Sequence, residues 1–221
     1  MRPVRSFVLR QGRLTKGQEQ ALSTLWPIYG LDKTDDILNL EKIFGRKAPL
    51  TMEIGFGDGV SLAEMAKAAP ERDFLGVEVH RPGVGRLLHL IQENDLNNLR
   101  VMDQDAVEIL KKNIAPGSLD RVQLFFPDPW HKKRHNKRRI VQPDFVALLA
   151  ARIRSGGVFH LATDWEDYAE HMLAVMESSE EFSSLSSAEF SERPAIRPET
   201  KFERRGLKLG HGVWDLLYQR I

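Results

Sequence analysis

Between residues 49 and 177, short apolar runs alternate with longer stretches whose apolar side chains recur at helical spacing. Residues 51–54 read as the end of a buried strand, and 60–69 as a helix that Pro70 breaks off. The run 74–79 is of buried-strand type, and 83–96 is helical. Residues 99–102 predict a third strand, 106–114 a helix and 121–126 a fourth strand. After an interruption at 127–139, residues 143–153 read as a helix with Pro143 in its first turn. Gly156 and Gly157 introduce a fifth strand at 158–162, and 165–177 predicts another helix. This alternation predicts an α/β architecture, a parallel sheet with helices on both faces. Past Leu185, residues 188–190 and 213–218 are strand-like, and the serine-rich stretch 178–187 is too short to link two domains.

Residues 1–48 precede this pattern and read as a basic N-terminal arm and helical extension, with the main domain at 49–221. Thr15 is placed to cap a helix running towards Trp26, with Pro27 near its end, and 31–44 gives a second, shorter helical pattern stopped by Gly45.

The first strand runs into Glu53-Ile54-Gly55-Phe56-Gly57-Asp58-Gly59. Strand, glycine loop and helix together bring backbone close to a nucleotide-like ligand. A dinucleotide fingerprint wants its third glycine three positions after its second, whereas Gly59 follows Gly57 by two. The spacing E-x-G-x-G-x-G resembles the first motif of class I S-adenosylmethionine-dependent methyltransferases. Further acids fall at successive strand ends: Glu78 after the second, Asp105 after the third and Asp128 after the fourth. Open α/β sheets bind ligands at that edge. One acid there is commonplace, but four beside a glycine loop make a site.

The chain has 221 residues, 42% of them hydrophobic, enough for one domain with additions. With no cysteine, disulfides and thiolate metal sites are excluded. No apolar run suits a signal peptide or a membrane span, which points to the cytoplasm. The net charge of +1 hides a strong asymmetry. Segments 1–16, 131–139 and 201–208 together carry +14, and the remaining chain carries −13. An acidic body with three basic segments suggests a polyanion partner held on one face.

The densest cationic run follows Pro127-Asp128-Pro129-Trp130, where the two prolines hold Asp128 extended. Amino-nitrogen methyltransferases place a short D/N-P-P-Y/F sequence here, whose aromatic ring stacks on the target base. P-D-P-W-H-K, Ala162-Thr163-Asp164-Trp165, Thr200-Lys201-Phe202-Glu203-Arg204-Arg205-Gly206 and the opening Arg5-Ser6-Phe7 with Gly12-Arg13 resemble the bacterial tRNA (guanine-N7-)-methyltransferase family over essentially the whole chain. That resemblance implies a Rossmann-like class I methyltransferase fold: a mostly parallel seven-stranded sheet, helices on both faces and an antiparallel C-terminal strand. It implies methyl transfer from S-adenosyl-L-methionine to N7 of the variable-loop guanine at tRNA position 46.

Carried over by position, Glu53, Gly55, Gly57, Gly59, Glu78, Asp105, Ala106 and Asp128 would bind the cofactor, Glu78 at the ribose and Asp105 with Ala106 at the adenine. Glu53 would sit near the methionine end. Asp128 would also be the active-site residue. Lys132, Asp164, Thr200, Lys201, Phe202 and Glu203 would contact substrate, and Arg134, His135, Asn136, Lys137, Arg138 and Arg139 would contact tRNA. Asp164 could also cap the following helix while Trp165 packs in the core. His131 and His135 are four apart but lie in a proline-bounded basic loop, so no metal is expected. No obligatory protein partner is expected, and the chain would act as a monomer or homodimer. At this stage a methyltransferase for another RNA nitrogen and a non-catalytic RNA-binding protein on the same fold stay open. A nicotinamide dehydrogenase is disfavoured by the glycine spacing.

Overall fold

The computed structural model describes residues 6–7, 12–200, 203–204 and 212–221. Seven strands form one sheet: β1 (Leu50–Ile54), β2 (Asp73–Val77), β3 (Leu99–Met102), β4 (Leu119–Phe125), β5 (Ile153–Thr163), β6 (Phe182–Ser184) and β7 (Trp214–Arg220). Their order is β3-β2-β1-β4-β5-β7-β6. β1 to β5 pair in parallel, and β7 runs antiparallel to both β5 and β6. Strand order reverses at β1, which lies between β2 and β4. The glycine loop therefore leaves the sheet where a ligand crevice forms.

The helices are α1 (Lys16–Thr24), α2 (Trp26–Tyr29), α3 (Leu40–Phe44), α4 (Val60–Ala68), α5 (Arg81–Glu93), α6 (Ala106–Lys112), α7 (Pro143–Arg152) and α8 (Glu166–Glu177). The strict alternation of side chains along β1 divides the core in two. Met52 and Ile54 face a cluster with Leu149, Phe159, Tyr168 and Met172. The opposite face holds Leu62, Leu87, Leu88 and Ile91, joined by Ala21 and Leu25 from the N-terminal extension. Thr51 and Glu53 are buried polar residues of β1, and Glu53 lies level with Gln123 of β4.

Several sequence-based expectations are corrected by contacts distant in the chain. Thr15 caps α1 in a reciprocal capping box with Gln18, as expected, and Pro27, three residues past the end of α1, lies in the first turn of a separate helix, α2. The pattern at 31–44 is helical only in α3. Leu31 N–H donates to Val101 O and Leu38 N–H to Asn113 O (both 2.8 Å), and the Asn113 amide donates to the carbonyls of Thr34 and Asp36 (2.9 Å each). These bonds hold the backbone against the sheet and compete with a helix. β5 begins at Ile153, and its register against β4 slips between Leu119 and Arg121 around the Gly156–157 irregularity. Residues 188–190 form no strand, because Ser186 Oγ accepts from Ala188 N and donates to Phe190 O, turning the chain. The strand is β6, inside the serine-rich stretch, anchored by buried Phe182 against the Phe159 ring.

Candidate active site

The carboxyl ends of β1 to β4 open into a cavity of about 590 Å³ lined by Gly55, Gly57, Glu78, Asp105, Ala106 and Asp128, among others. Gly55, Gly57 and Gly59 all have positive φ. A Cβ on Gly59 would stand 2.7 Å from the Leu87 side chain, so only glycine lets α4 start against α5. The approach is closest at Gly83, whose Cβ would lie 1.9 Å from Gly57 O. Nothing in the local sequence marks Gly83 as the residue that seats the loop.

Glu78 is the keystone of the loop. One carboxylate oxygen accepts from Gly57 N (2.9 Å), the other from Val79 N (2.7 Å) and His80 N (3.0 Å). The oxygen bonded to Gly57 N retains a further lone pair, and Glu78 lines the cavity. Asp105 caps α6 by accepting from Val107 N (3.0 Å), which brings buried Ala106 to the cavity wall. Glu53 does not line the cavity. It is buried behind the loop, one carboxylate oxygen has no hydrogen-bond partner, and desolvation, aided by the charge of Glu78, pushes its pKa up to about 8. Ser6 and Phe7 also line the cavity, arriving from a distant segment, and so do His80 and Gln104, which lie beside Glu78 and Asp105 in the chain.

Asp128 is exposed at the cavity rim. The chain reaches it through Phe126, which has φ of 51° and donates its N–H to Ala162 O (2.8 Å). Trp130 is held elsewhere: Arg138 lies 3.9 Å over its ring, and its indole N–H donates to Ser6 O (3.1 Å). Trp130 thus ties the loop to the Ser6 segment.

The basic run forms a short 3₁₀ helix, Lys133–Arg138. Lys132, Lys133, Arg134 and Lys137 are exposed, while His135 and Asn136 are half-buried. Desolvation and the cations Arg134, Arg138, Lys132 and Lys137 all push the His135 pKa down, so this surface is short of negative charge. Arg139 departs from the expected tRNA-contacting set. It is 3% exposed, donates to Pro129 O (3.0 Å) and to Asp167, and lies over the Tyr168 ring. Its guanidinium braces the Pro-Asp-Pro loop from behind and is not presented to a polyanion.

Asp164 is half-buried after β5. It does not cap α8, whose N-cap is Trp165 without a side-chain bond. Trp165 is half-buried and meets the His131 ring edge-on at 4.2 Å. Thr200 and Glu203 bond reciprocally, Glu203 N to Thr200 Oγ1 (3.1 Å) and Thr200 N to a Glu203 carboxylate oxygen (3.3 Å). Buried Glu203 is also gripped by Arg197 (2.6 Å), so its carboxylate is engaged within the protein. Lys201 and Phe202 lie outside the described residues. Among the described residues, no group of three His, Asp or Glu side chains could hold a metal ion, and no helix is long and apolar enough to cross a membrane.

Residues 47–216 match the family described as "Putative methyltransferase". The chain is 61% identical over 221 residues to the tRNA (guanine-N(7)-)-methyltransferase of Alcanivorax borkumensis, covering all of this chain and 92% of that protein. It is 60% identical over 222 residues to the enzyme of the same name from Escherichia coli (strain K12), covering all of this chain and 93% of that protein. Among solved structures, the 16S rRNA methyltransferase KamB superposes with a TM-score of 0.63 at 14% identity, covering 86% of this chain and 96% of that one, a likeness of fold. Full-length identity at this level, on a sheet and glycine loop of the methyltransferase type, settles the family: the chain is a member of the tRNA (guanine-N(7)-)-methyltransferases.

Proposed function

We propose that this protein transfers a methyl group from S-adenosyl-L-methionine to N7 of the variable-loop guanine, position 46, of tRNA. One observation carries the reading: the cavity and the cationic surface are contiguous in the chain. Asp128 lines the cavity, and Lys132 leads directly into the exposed 3₁₀ turn. A nucleotide-sized ligand can lie in the first while a polyanion lies on the second. Residues 1–48 act as a basic arm and helical extension beside the methyltransferase domain 49–221. The protein works in the cytoplasm as a monomer or homodimer, without an obligatory protein partner.

The family and fold imply S-adenosylmethionine, and the residues fit it. The space that a Cβ would fill at Gly55 and Gly57 is open to 4 Å, and Glu78 offers acceptors where a ribose diol needs them. Asp105 and Ala106 would hold the adenine, and the glycine loop the methionine end. When bound, the cofactor supplies an electrophilic methyl group on a sulfonium.

The chain's own task is alignment and electrostatics. Guanine N7 has an in-plane lone pair and no proton, so no base has to act. Asp128 and Asp164 can accept from guanine N1–H and the 2-amino group, the edge that separates guanine from adenine. Asp128 also faces the positive charge that methylation places on the purine. Lys132, Arg134, Lys137 and their neighbours hold phosphates and position the tRNA without reading bases.

The test is transfer of labelled methyl to unmodified tRNA, followed by chemical cleavage at N7-methylguanosine. Label on any atom other than N7 of a variable-loop guanine overturns the reading. Glu78→Ala should weaken cofactor binding by about 1.5–3 kcal/mol, through loss of charge-assisted bonds and of the tie to Gly57. Calorimetric titration with S-adenosylhomocysteine checks this, and a parental affinity removes Glu78 from the site. Arg134→Ala with Lys137→Ala should reduce the log–log salt slope of tRNA binding by about one unit for each phosphate no longer neutralised, leaving cofactor affinity intact. If both affinities fell together, the turn would be a structural element of the pocket.

A further inference from the structure

We infer that Arg197 is a positioning residue for methyl transfer: its buried guanidinium fixes the Thr200–Glu203 pair, β7 and the cavity end of β4 relative to one another. The inference rests on the methyl-transfer reading and adds to it a residue that no motif points to. Arg197 is 1% exposed. Its Nε and Nη2 each donate to Asp215 of β7 at 2.7 Å. Its Nη1 and Nη2 donate to the two oxygens of Glu203 at 2.6 and 3.0 Å. One planar fork thus grips two carboxylates, each by two hydrogen bonds, a geometry that a lysine cannot reproduce.

The same guanidinium lies 5.8 and 5.7 Å from the ring centroids of Phe125 and Phe126, both of which line the cavity immediately before Asp128. Asp215 is held from its other side by His160, at 2.7 Å, and stands in register with Ala162, which receives the Phe126 N–H. Four segments therefore meet at one charge cluster: β4, which leads to Asp128, β5, which carries His160 and leads to Asp164, β7, which carries Asp215, and the segment carrying Thr200 and Glu203. A buried cluster of this kind adds little net stability, because desolvation offsets the attraction. Its specific contribution is placement. Glu203 acts on the substrate through the segment it anchors and not as a direct ligand.

Two variants test this. Arg197→Lys keeps the charge and loses the fork. A triple variant, Arg197→Met with Asp215→Asn and Glu203→Gln, removes the buried charges together, so it folds even if the single variant does not. In either, hydrogen exchange at the Thr200 and Glu203 amides should accelerate by about tenfold or more. The single-turnover rate with saturating tRNA should fall about 10²-fold, the cost of a misplacement near 1 Å. Affinity for S-adenosylhomocysteine should stay within about twofold of the parent, since the Glu78 loop is untouched. Parental exchange or a parental rate in the triple variant overturns the inference, as does a cofactor affinity that falls in step with the rate. A parent protein that leaves tRNA unmethylated sinks the functional reading instead, and the exchange measurement still decides whether Arg197 anchors the segment.

Discussion

Asp128→Asn is expected to lower the single-turnover methyl-transfer rate by at least about 10²-fold, with cofactor and tRNA binding changed far less. Asparagine keeps the size of the side chain and its place between Pro127 and Pro129, where Arg139 braces the loop through Pro129 O. What it would lose, on the proposed mechanism, is a negative charge beside a purine that becomes cationic as the new bond forms. No proton leaves N7, so the parental rate should be flat between about pH 6.5 and 7.5 when chemistry is rate-limiting. Above that window, ionisation of Glu53 with its pKa of about 8 can bend the profile, because it puts a charge behind the glycine loop. A rate rising tenfold per pH unit through neutrality would sink the base-free mechanism and point to an amino nitrogen as target, with Asp128 accepting its proton.

The parts of this site that the sequence exposes are those built from neighbours in the chain. Glu53, Glu78, Asp105 and Asp128 each lie at or just after an apolar run of buried-strand type, and successive parallel strands bring their carboxyl ends to one edge. The remainder depends on pairings between distant residues. Arg139 looks like the other cations in its run, and only the arrival of Asp167 and Tyr168 on α8 buries it. Arg197 meets Asp215 because β7 returns antiparallel along β5, a pairing that a short apolar pattern cannot announce. The same reason explains residues 31–39: their apolar spacing suits a helix, yet the Asn113 amide claims the carbonyls of Thr34 and Asp36. The resemblance puts Glu53 near the methionine end; in the fold its side chain is buried and is not among the residues that line the cavity.

That placement of Glu53 has a thermodynamic consequence large enough to measure. Burial raises the carboxyl from its ordinary 4.5 to about 8 in the folded protein, so near neutrality it is protonated when folded and ionised when unfolded. Between those two values the folded state binds the extra proton, and the favourable contribution present at low pH is lost as pH rises through about 8. Glu53 and its register neighbour Gln123 each bury an oxygen without a partner, and protonation turns one Glu53 oxygen into a donor. Glu53→Gln keeps the shape and a donor but cannot ionise. Near pH 5 the variant and parent should differ little in unfolding free energy. By pH 9 the variant should be the more stable, by an amount on the order of 3–5 kcal/mol, with the gap opening steadily between the two limits. Urea denaturation of both proteins across that range measures it directly. A gap that does not change with pH would mean that Glu53 folds as a carboxylate, and the account of the protonated acid behind the glycine loop would be wrong.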